Sequence, residues 1–375
     1  MTRLIASQAE LDRWMAGIAH APLLAVDTEA ASFHRYRDRV YLLQLSTRED
    51  TVVVDPLATE DLGDVGAMLA DRSVEIVFHD ADYDLRLLGR EFGFAATNLF
   101  DTRIAAQLLN EPGIGLAALL EKYLGVKLDK RFQRADWSAR PLSEGMLDYA
   151  ASDTRHLPEL RDLLERRLEE AGRLEWAREE FQRLEEIEFG GPPPDEPGWL
   201  RMKGAKALKP RQLAILREVW EWRDALAERL DRAPFRIMNN EPIFTIARTP
   251  PENREELAKV PGIGRDIAAK RGDEILAAVE RGRRLADDQL PRLERPPRHA
   301  RDPELDARVE RLKAARNVAA ERIGLPPGVV CPNGTLEAIA RLAPRTREEL
   351  AEIPGLRRWQ LGALGDALLA ALRTP

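Results

Sequence analysis

Pro22-Leu-Leu-Ala-Val-Asp-Thr-Glu29 is the stretch on which the fold turns. A short apolar run closed by polar residues reads as a strand, and VYLLQLST (40–47) and TVVVDP (51–56) repeat that pattern at short spacing. Strands so close in sequence predict antiparallel hairpins. Further on the period changes. Residues 60–70 read as a helix, Val74–His79 as a strand and Leu85–Phe92 as a helix, and the chain from Ser143 almost to Glu188 reads as helical. The expected architecture of this part is α/β with a mixed sheet.

Within the first strand, Asp27 and Glu29 stand at i and i+2 and leave the same face. Two buried carboxylates side by side are costly unless a cation holds them; the other reading is a strand end running into solvent. Tyr149 and Asp153, at i and i+4 of the helix beginning near Ser143, also share a face, with Ala150 and Ala151 between them. An ordinary side-chain contact would give the same spacing. Between the two pairs lies FHDADYDLRLL (78–88), with Asp80, Asp82 and Asp84. Asp84 is expected to open the helix, where the macrodipole favours a carboxylate. Asp80 and Asp82 read as solvated loop acids.

Four acids drawn from a strand, a helix start and a later helix suit two divalent metals about 4 Å apart. Oxygen-only ligands fit Mg²⁺ or Mn²⁺, whereas zinc favours His or Cys. Such a pair of metals serves phosphodiester hydrolysis, activating water on one side and stabilising the departing 3′-oxygen on the other.

The rest of the chain sets the frame. Its 375 residues, 44% apolar and 32% charged, allow two or three soluble domains. No apolar run reaches the roughly 18 residues of a membrane helix. Glu10 and Asp12 interrupt the N-terminus before a secretory h-region could form, so a cytoplasmic address is expected. The single cysteine, Cys331, excludes an intrachain disulfide framework and a Cys-rich zinc site. Gly113 and Gly115 read as a loop, and no nucleotide cofactor is expected.

Proline-rich seams at Gly190–Gly198 and Pro291–Pro303 divide the chain into 1–190, 199–288 and 301–375. The last two pieces are copies of each other. A shift of 93 residues carries Arg223 onto Arg316, Ile246-Ala247 onto Ile339-Ala340, and Arg254–Ala258 (REELA) onto Arg347–Ala351 (REELA). Both read as small all-α domains. Charge separates the halves: residues 1–190 carry 23 Lys+Arg against 36 Asp+Glu (−13), and residues 191–375 carry 34 against 28 (+6). Arg201, Lys203, Lys206, Lys209 and Arg211 form a basic run of the kind that contacts phosphates, or equally a solvated lead-in to a helix. The turns VPGIGR (260–265) and IPGLRR (353–358) each place Pro-Gly before a helix, whose N–H groups can hold a phosphate; a plain interhelical turn is the blander reading.

Taken together, VDTE, Asp84 in D-L-x-L-L and Y-x-x-x-D resemble the three exonuclease motifs of the DEDD superfamily, tyrosine subclass. FDTRIAAQLL (100–109), EKYLGVKLDK (121–130) and DWSARPL (136–142) resemble bacterial ribonuclease D more closely, and the 93-residue repeat resembles its helicase-and-RNase-D C-terminal (HRDC) domain. The resemblance implies a ribonuclease H-like exonuclease domain followed by two small helical domains. It implies a metal-dependent 3′→5′ exoribonuclease, acting on RNA with an unpaired 3′ end such as tRNA precursors and releasing 5′-monophosphates. By that resemblance Asp27, Glu29 and Asp153 would hold the metal that activates water. Asp27 would bridge to a second metal supported by Asp84, and Tyr149 would orient or help deprotonate the water. The histidine subclass requires a His where Asp148 stands. The segment after the first motif, Phe33–Arg37, departs from the family pattern but carries side chains suited to stacking and phosphate contacts. Gln44, in the place of the family's LIQL glutamine, and His79 are further candidate substrate contacts, along with Lys203, Lys206, Lys209 and Arg211. A DNA exonuclease and a non-catalytic RNA-binding platform remain as alternatives.

Overall fold

The structure, a computed structural model, describes residues 2–187, 196–292 and 302–373. The proline-rich seams, and with them the expected bounds at 190 and 301, fall largely outside those residues. Strands β1 (Arg3–Ile5), β2 (Leu23–Ala30), β3 (Val40–Ser46), β4 (Thr51–Val54), β5 (Glu75–Phe78) and β6 (Leu99–Asp101) form one mixed sheet, ordered β1-β4-β3-β2-β5-β6. The chain from β2 to β4 makes the expected antiparallel hairpins, while β1–β4, β2–β5 and β5–β6 pair in parallel. Among the described residues, eight helices accompany the sheet: α1 (Gln8–Gly17), α2 (Gly63–Ala70), α3 (Asp82–Phe92), α4 (Thr102–Leu108), α5 (Leu116–Leu124), α6 (Glu144–Arg155), α7 (Leu157–Glu170) and α8 (Leu174–Glu185). The helix expected to open at Asp84 opens two residues earlier, and the stretch after Ser143 is three helices, broken at His156 and at the left-handed Gly172.

Strand alternation sorts the side chains. Val26, Leu43, Leu45, Val52 and Val54 go into the main core. The other face carries Leu42 and Val53, covered by Trp137 and by Ala150 and Ala151 of α6. Asp27 and Glu29, paired in register with Gln44 and Leu42, belong to that second face.

The two repeats correspond element by element in chain order. The first unit has α9 (Pro210–Arg229), α10 (Pro234–Ile237), α11 (Asn240–Arg248), α12 (Arg254–Ala258) and α13 (Gly264–Arg284). The second has α14 (Pro303–Ile323), α15 (Pro327–Val330), α16 (Asn333–Leu342), α17 (Arg347–Ala351) and α18 (Arg358–Arg373). Each buries the same arginine. Arg223 donates to Met238 O (3.2 Å) and Asn240 Oδ1 (2.7 Å); Arg316 donates to Cys331 O (3.0 Å) and Asn333 Oδ1 (2.7 Å). These bonds offset part of the cost of burying each guanidinium, although Arg223 Nε has no partner among the described residues. The Pro-Gly turns need glycine: Gly262 and Gly355 sit at φ +87° and +84°, and a Cβ on Gly262 would lie 2.7 Å from Pro242 Cγ.

The copies differ in what they pack against. The first has a core of its own, from Trp199 to Val279. The second shares the main core with the sheet domain, and its Trp359 stacks on Trp176 of α8 at 4.8 Å and 18°. Glu179 accepts from the Arg358 and Trp359 N–H groups (2.7 and 2.9 Å), and Glu180 accepts from Trp359 Nε1 (2.8 Å) and Arg357 (3.2 Å). A carboxylate of the same chain thus fills the N-terminus of α18, the place considered for a phosphate.

Candidate metal and active site

β5 pairs with β2 only through Leu23–Ala25, so Asp27, Thr28 and Glu29 extend past the end of β5. Into that gap comes Asp84, in the first turn of α3. It is 6% exposed, and the Thr28 hydroxyl donates to its Oδ1, with the Thr28 backbone also favouring the ionised carboxyl. The turn that aims α3 has its own anchor in Asp101, at the end of β6 and 1% exposed. Its carboxylate accepts from the N–H groups of Asp80 (3.3 Å), Ala81 (2.8 Å), Arg103 (2.8 Å) and Ile104 (3.0 Å). One side chain therefore caps α4 and ties down the left-handed Asp80 (φ +70°). Asp101 lies outside the three acidic motifs. The signal was an Asp directly before TRIAAQLL, a helix N-cap pattern.

Packed against β2 and β3, α6 brings Asp153 to Asp27 and Glu29. Asp27, Glu29 and Asp153 each offer a carboxylate oxygen, all within 4.8 Å of one another. Burial raises the Asp27 carboxyl well above the usual range, with the Asp153 charge adding to it. Burial, then Asp27, Asp153 and Asp84, does the same to Glu29. Asp84 is raised by burial and by Asp27, and burial moves Asp153 to about 7. These groups thus act on one another chiefly by repulsion, and each is desolvated. Oxygen donors, converging geometry and uncompensated negative charge fit a divalent cation.

Tyr149 lies one helical turn before Asp153. Its ring is flanked by Trp137 (5.9 Å, 30°) and Phe132 (6.3 Å, 66°). Burial, then the charges of Asp153, Glu29 and Asp27, pushes its hydroxyl well above the ordinary value, so it stays protonated.

The remaining candidates fall elsewhere. Asp80 pairs with Arg103 (2.6 Å) and Asp82 with Arg86 (3.0 Å), both pointing outward. Gln44 is fully buried beside Asp27, and neither its Oε1 nor its Nε2 has a partner among the described residues. His79 faces Thr102 Oγ1 (2.9 Å), and burial lowers its pKa to about 4, so it offers no charge to a phosphate at neutral pH. Lys203 and Lys209 are exposed ahead of α9, and Lys206 is exposed but paired with Glu196 (2.6 Å). Arg211 corrects the expectation of a five-cation face. It turns inward, donating to Arg283 O (2.9 Å) and Leu285 O at the end of α13 and pairing with Asp287 (2.6 Å). The Phe33–Arg37 segment, read as a stacking and phosphate element, meets the first helical unit instead: Tyr36 donates to Asp224 (2.8 Å) and Arg35 pairs with Asp231 (3.2 Å).

Residues 2–169 match the 3′-5′ exonuclease family, and residues 212–279 and 306–372 each match the HRDC domain. Fold and carboxylate cluster together define a 3′→5′ exonuclease that works with divalent metal. Ribonuclease D of Gluconacetobacter diazotrophicus is 34% identical over 98% of this chain and 92% of its own length. Ribonuclease D of Granulibacter bethesdensis is 31% identical over 98% and 91%. The crystal structure of Escherichia coli RNase D, an exoribonuclease involved in structured RNA processing, matches with a TM-score of 0.73 and 26% identity over 99% of this chain and 98% of that one. The chain belongs to the ribonuclease D family of 3′→5′ exoribonucleases. No helix among the described residues is long and apolar enough to cross a membrane.

Proposed function

We propose that Asp27, Glu29, Asp84 and Asp153 hold two divalent cations, Mg²⁺ or Mn²⁺, and that the protein trims unpaired RNA 3′ ends one nucleotide at a time. The convergence of three desolvated carboxylates within 4.8 Å carries this reading. Bound there, the cations supply the charge that acidifies the attacking water and takes up the negative charge of the departing 3′-oxygen. Asp27 would help to hold both cations; Glu29 and Asp153 would hold with it the one that activates water, and Asp84, fixed by Thr28, would hold the other. Tyr149 donates a hydrogen bond that orients the attacking water; its raised pKa supports orientation over proton removal. By likeness to the ribonucleases D, tRNA precursors and other small structured RNAs are the substrates, in the cytoplasm.

In this reading the nuclease domain occupies 1–190, with HRDC domains at 199–288 and 301–375. Lys203, Lys206 and Lys209 supply phosphate contacts that raise affinity without reading sequence. Matched RNA and DNA oligomers with unpaired 3′ ends, incubated with Mg²⁺ or Mn²⁺ and sized over time, test the proposal. Stepwise shortening of RNA with mononucleotide release is expected. Equal or faster loss of DNA, or internal cuts, would overturn it.

A further inference from the structure

The D-W-S-A-R segment (136–140) carries no metal ligand, yet it is held more tightly than its lack of regular structure suggests. Arg140 forms a two-armed ion pair with Asp55 (2.6 and 2.9 Å) and donates to Tyr41 O (3.0 Å). Trp137, 1% exposed, lies against the Tyr149 ring on one side, and Phe132 of the same loop lies against it on another. The loop is fixed a second time by the segment that follows β2. Arg35 Nε donates to Ser138 Oγ (2.6 Å), and His34 Nε2 lies 3.1 Å from Arg134 O. That segment is itself pinned by the first helical unit. Arg35 Nη1 donates to Asp231 (3.2 Å), the Tyr36 N–H donates to Asp231 (3.2 Å), the Ala233 N–H donates to His34 O (3.2 Å), and Phe33 meets Phe235 edge-on at 6.1 Å.

We infer that the first helical unit is a brace for Tyr149: its docking on Phe33–Tyr36 sets, through Arg35 and Ser138, the position of the aromatic clamp around the tyrosine ring. Arg35 is the joint, since one guanidinium serves both the loop and the helical unit. Trp137, Arg35 and Asp231 are then positioning residues acting through Tyr149, and among the described residues no hydrogen bond or ion pair joins them to Asp27, Glu29, Asp84 or Asp153. The inference rests on Tyr149 orienting the attacking water. Displacements of about 1 Å in such a group lower rates by up to about a hundredfold, so a loosened clamp is visible in turnover.

The test uses the full chain and a short single-stranded RNA, so that grip on folded RNA does not enter. Arg35→Met and Asp231→Asn are each made alone and combined with Tyr149→Phe; Trp137→Leu and Trp137→Phe complete the set. Turnover, KM, melting and Mn²⁺ affinity by calorimetry are measured for each. We expect Arg35→Met and Asp231→Asn to lower kcat about five- to tenfold while KM and Mn²⁺ affinity stay within about twofold. On the Tyr149→Phe background neither should lower kcat further, because the group they position is gone. Trp137→Phe should recover most of what Trp137→Leu loses. Folded Arg35→Met and Asp231→Asn proteins with unchanged kcat, or losses that multiply with that of Tyr149→Phe, overturn the brace. If Tyr149→Phe alone leaves kcat intact, the water-orienting role falls first. Should Trp137→Leu fail to fold, the Arg35 and Asp231 variants decide.

Discussion

Replacing Asp153 with Asn should make the metal-free protein more stable while disabling it. In the folded chain the Asp153 carboxyl titrates at about 7 against an ordinary 3.8, because burial disfavours its charge. A carboxyl raised in this way binds its proton more tightly folded than unfolded, so its contribution to stability is whole below about 4 and is lost as pH rises through about 7. At pH 8 the loss amounts to about 4 kcal/mol at most, from three pH units at about 1.4 kcal/mol each. The amide escapes that cost and also lifts the repulsion that the Asp153 charge exerts on Asp27 and Glu29. In EDTA at pH 8, Asp153→Asn should melt several degrees above the parent, at roughly 2–4 °C per kcal/mol. At pH 5, where the folded carboxyl is protonated but the unfolded one still ionises, the gap should shrink to about 1.7 kcal/mol, and it should close only below about pH 4. Mn²⁺ should reverse the order by stabilising the parent, which retains its ligand, more than the variant. Thermal melting at the two pH values, with and without metal, settles the matter. An Asp153→Asn protein melting below the parent at pH 8 in EDTA would show that this carboxylate is compensated in the apo state and refute the electrostatic argument.

Other perturbations follow from the same geometry. Asp27→Asn should cost at least about a thousandfold in cleavage of an RNA oligomer in saturating Mn²⁺, since in the proposed site it would help to hold both cations; retention of a tenth of the activity would remove Asp27 from the site. Asp84→Asn should slow cleavage far more than Asp80→Asn or Asp82→Asn, since only Asp84 enters the gap beside Thr28; an inactive Asp80→Asn in the same assay would reverse that assignment. Gln44→Leu should raise the melting temperature, because a buried amide without partners costs about 1–3 kcal/mol; a fall would mean that the amide is bonded in solution. Arg316→Met should destabilise by about 1–3 kcal/mol, leaving Cys331 O and Asn333 without their donor; an unchanged denaturation midpoint would contradict it.

How far the sequence could be read depended on the range of the forces involved. The hairpins from β2 to β4 were legible because alternation and turn residues are local signals. Asp27 and Glu29 were legible on one face for the same reason. The repeat was legible because a common shift of 93 residues needs no structure, and Arg223 and Arg316 then prove to make the same bonds. Edge strands β1 and β6 were missed: three residues are too few for a period, and each exists because a neighbouring strand offers its edge. The first turn of α3 was missed by two residues because Asp82 and Tyr83 carry no apolar signal. Contacts across 72 residues or more were least accessible. Phe33–Tyr36 has the composition of a nucleic-acid contact and is occupied by the helical unit, and Arg211 looks like a surface cation and serves as a helix-end anchor.

The shared core between the sheet domain and the second helical unit changes how this chain comes apart. Three modules can be counted along the sequence, but the large apolar clusters number two among the described residues. One runs from Ile5 to Leu369, and the other stays within the first helical unit. Cooperativity follows packing and not sequence order, so the nuclease and the C-terminal unit should melt as one block with the middle unit as a second. In thermodynamic terms the middle unit is an insertion whose two ends return to the same body. Cutting the chain after that unit would strip the cover from Trp176 and leave Glu179 and Glu180 facing water without their donors. The repeat that looks dispensable at the end of the sequence is, by its contacts, part of the nuclease.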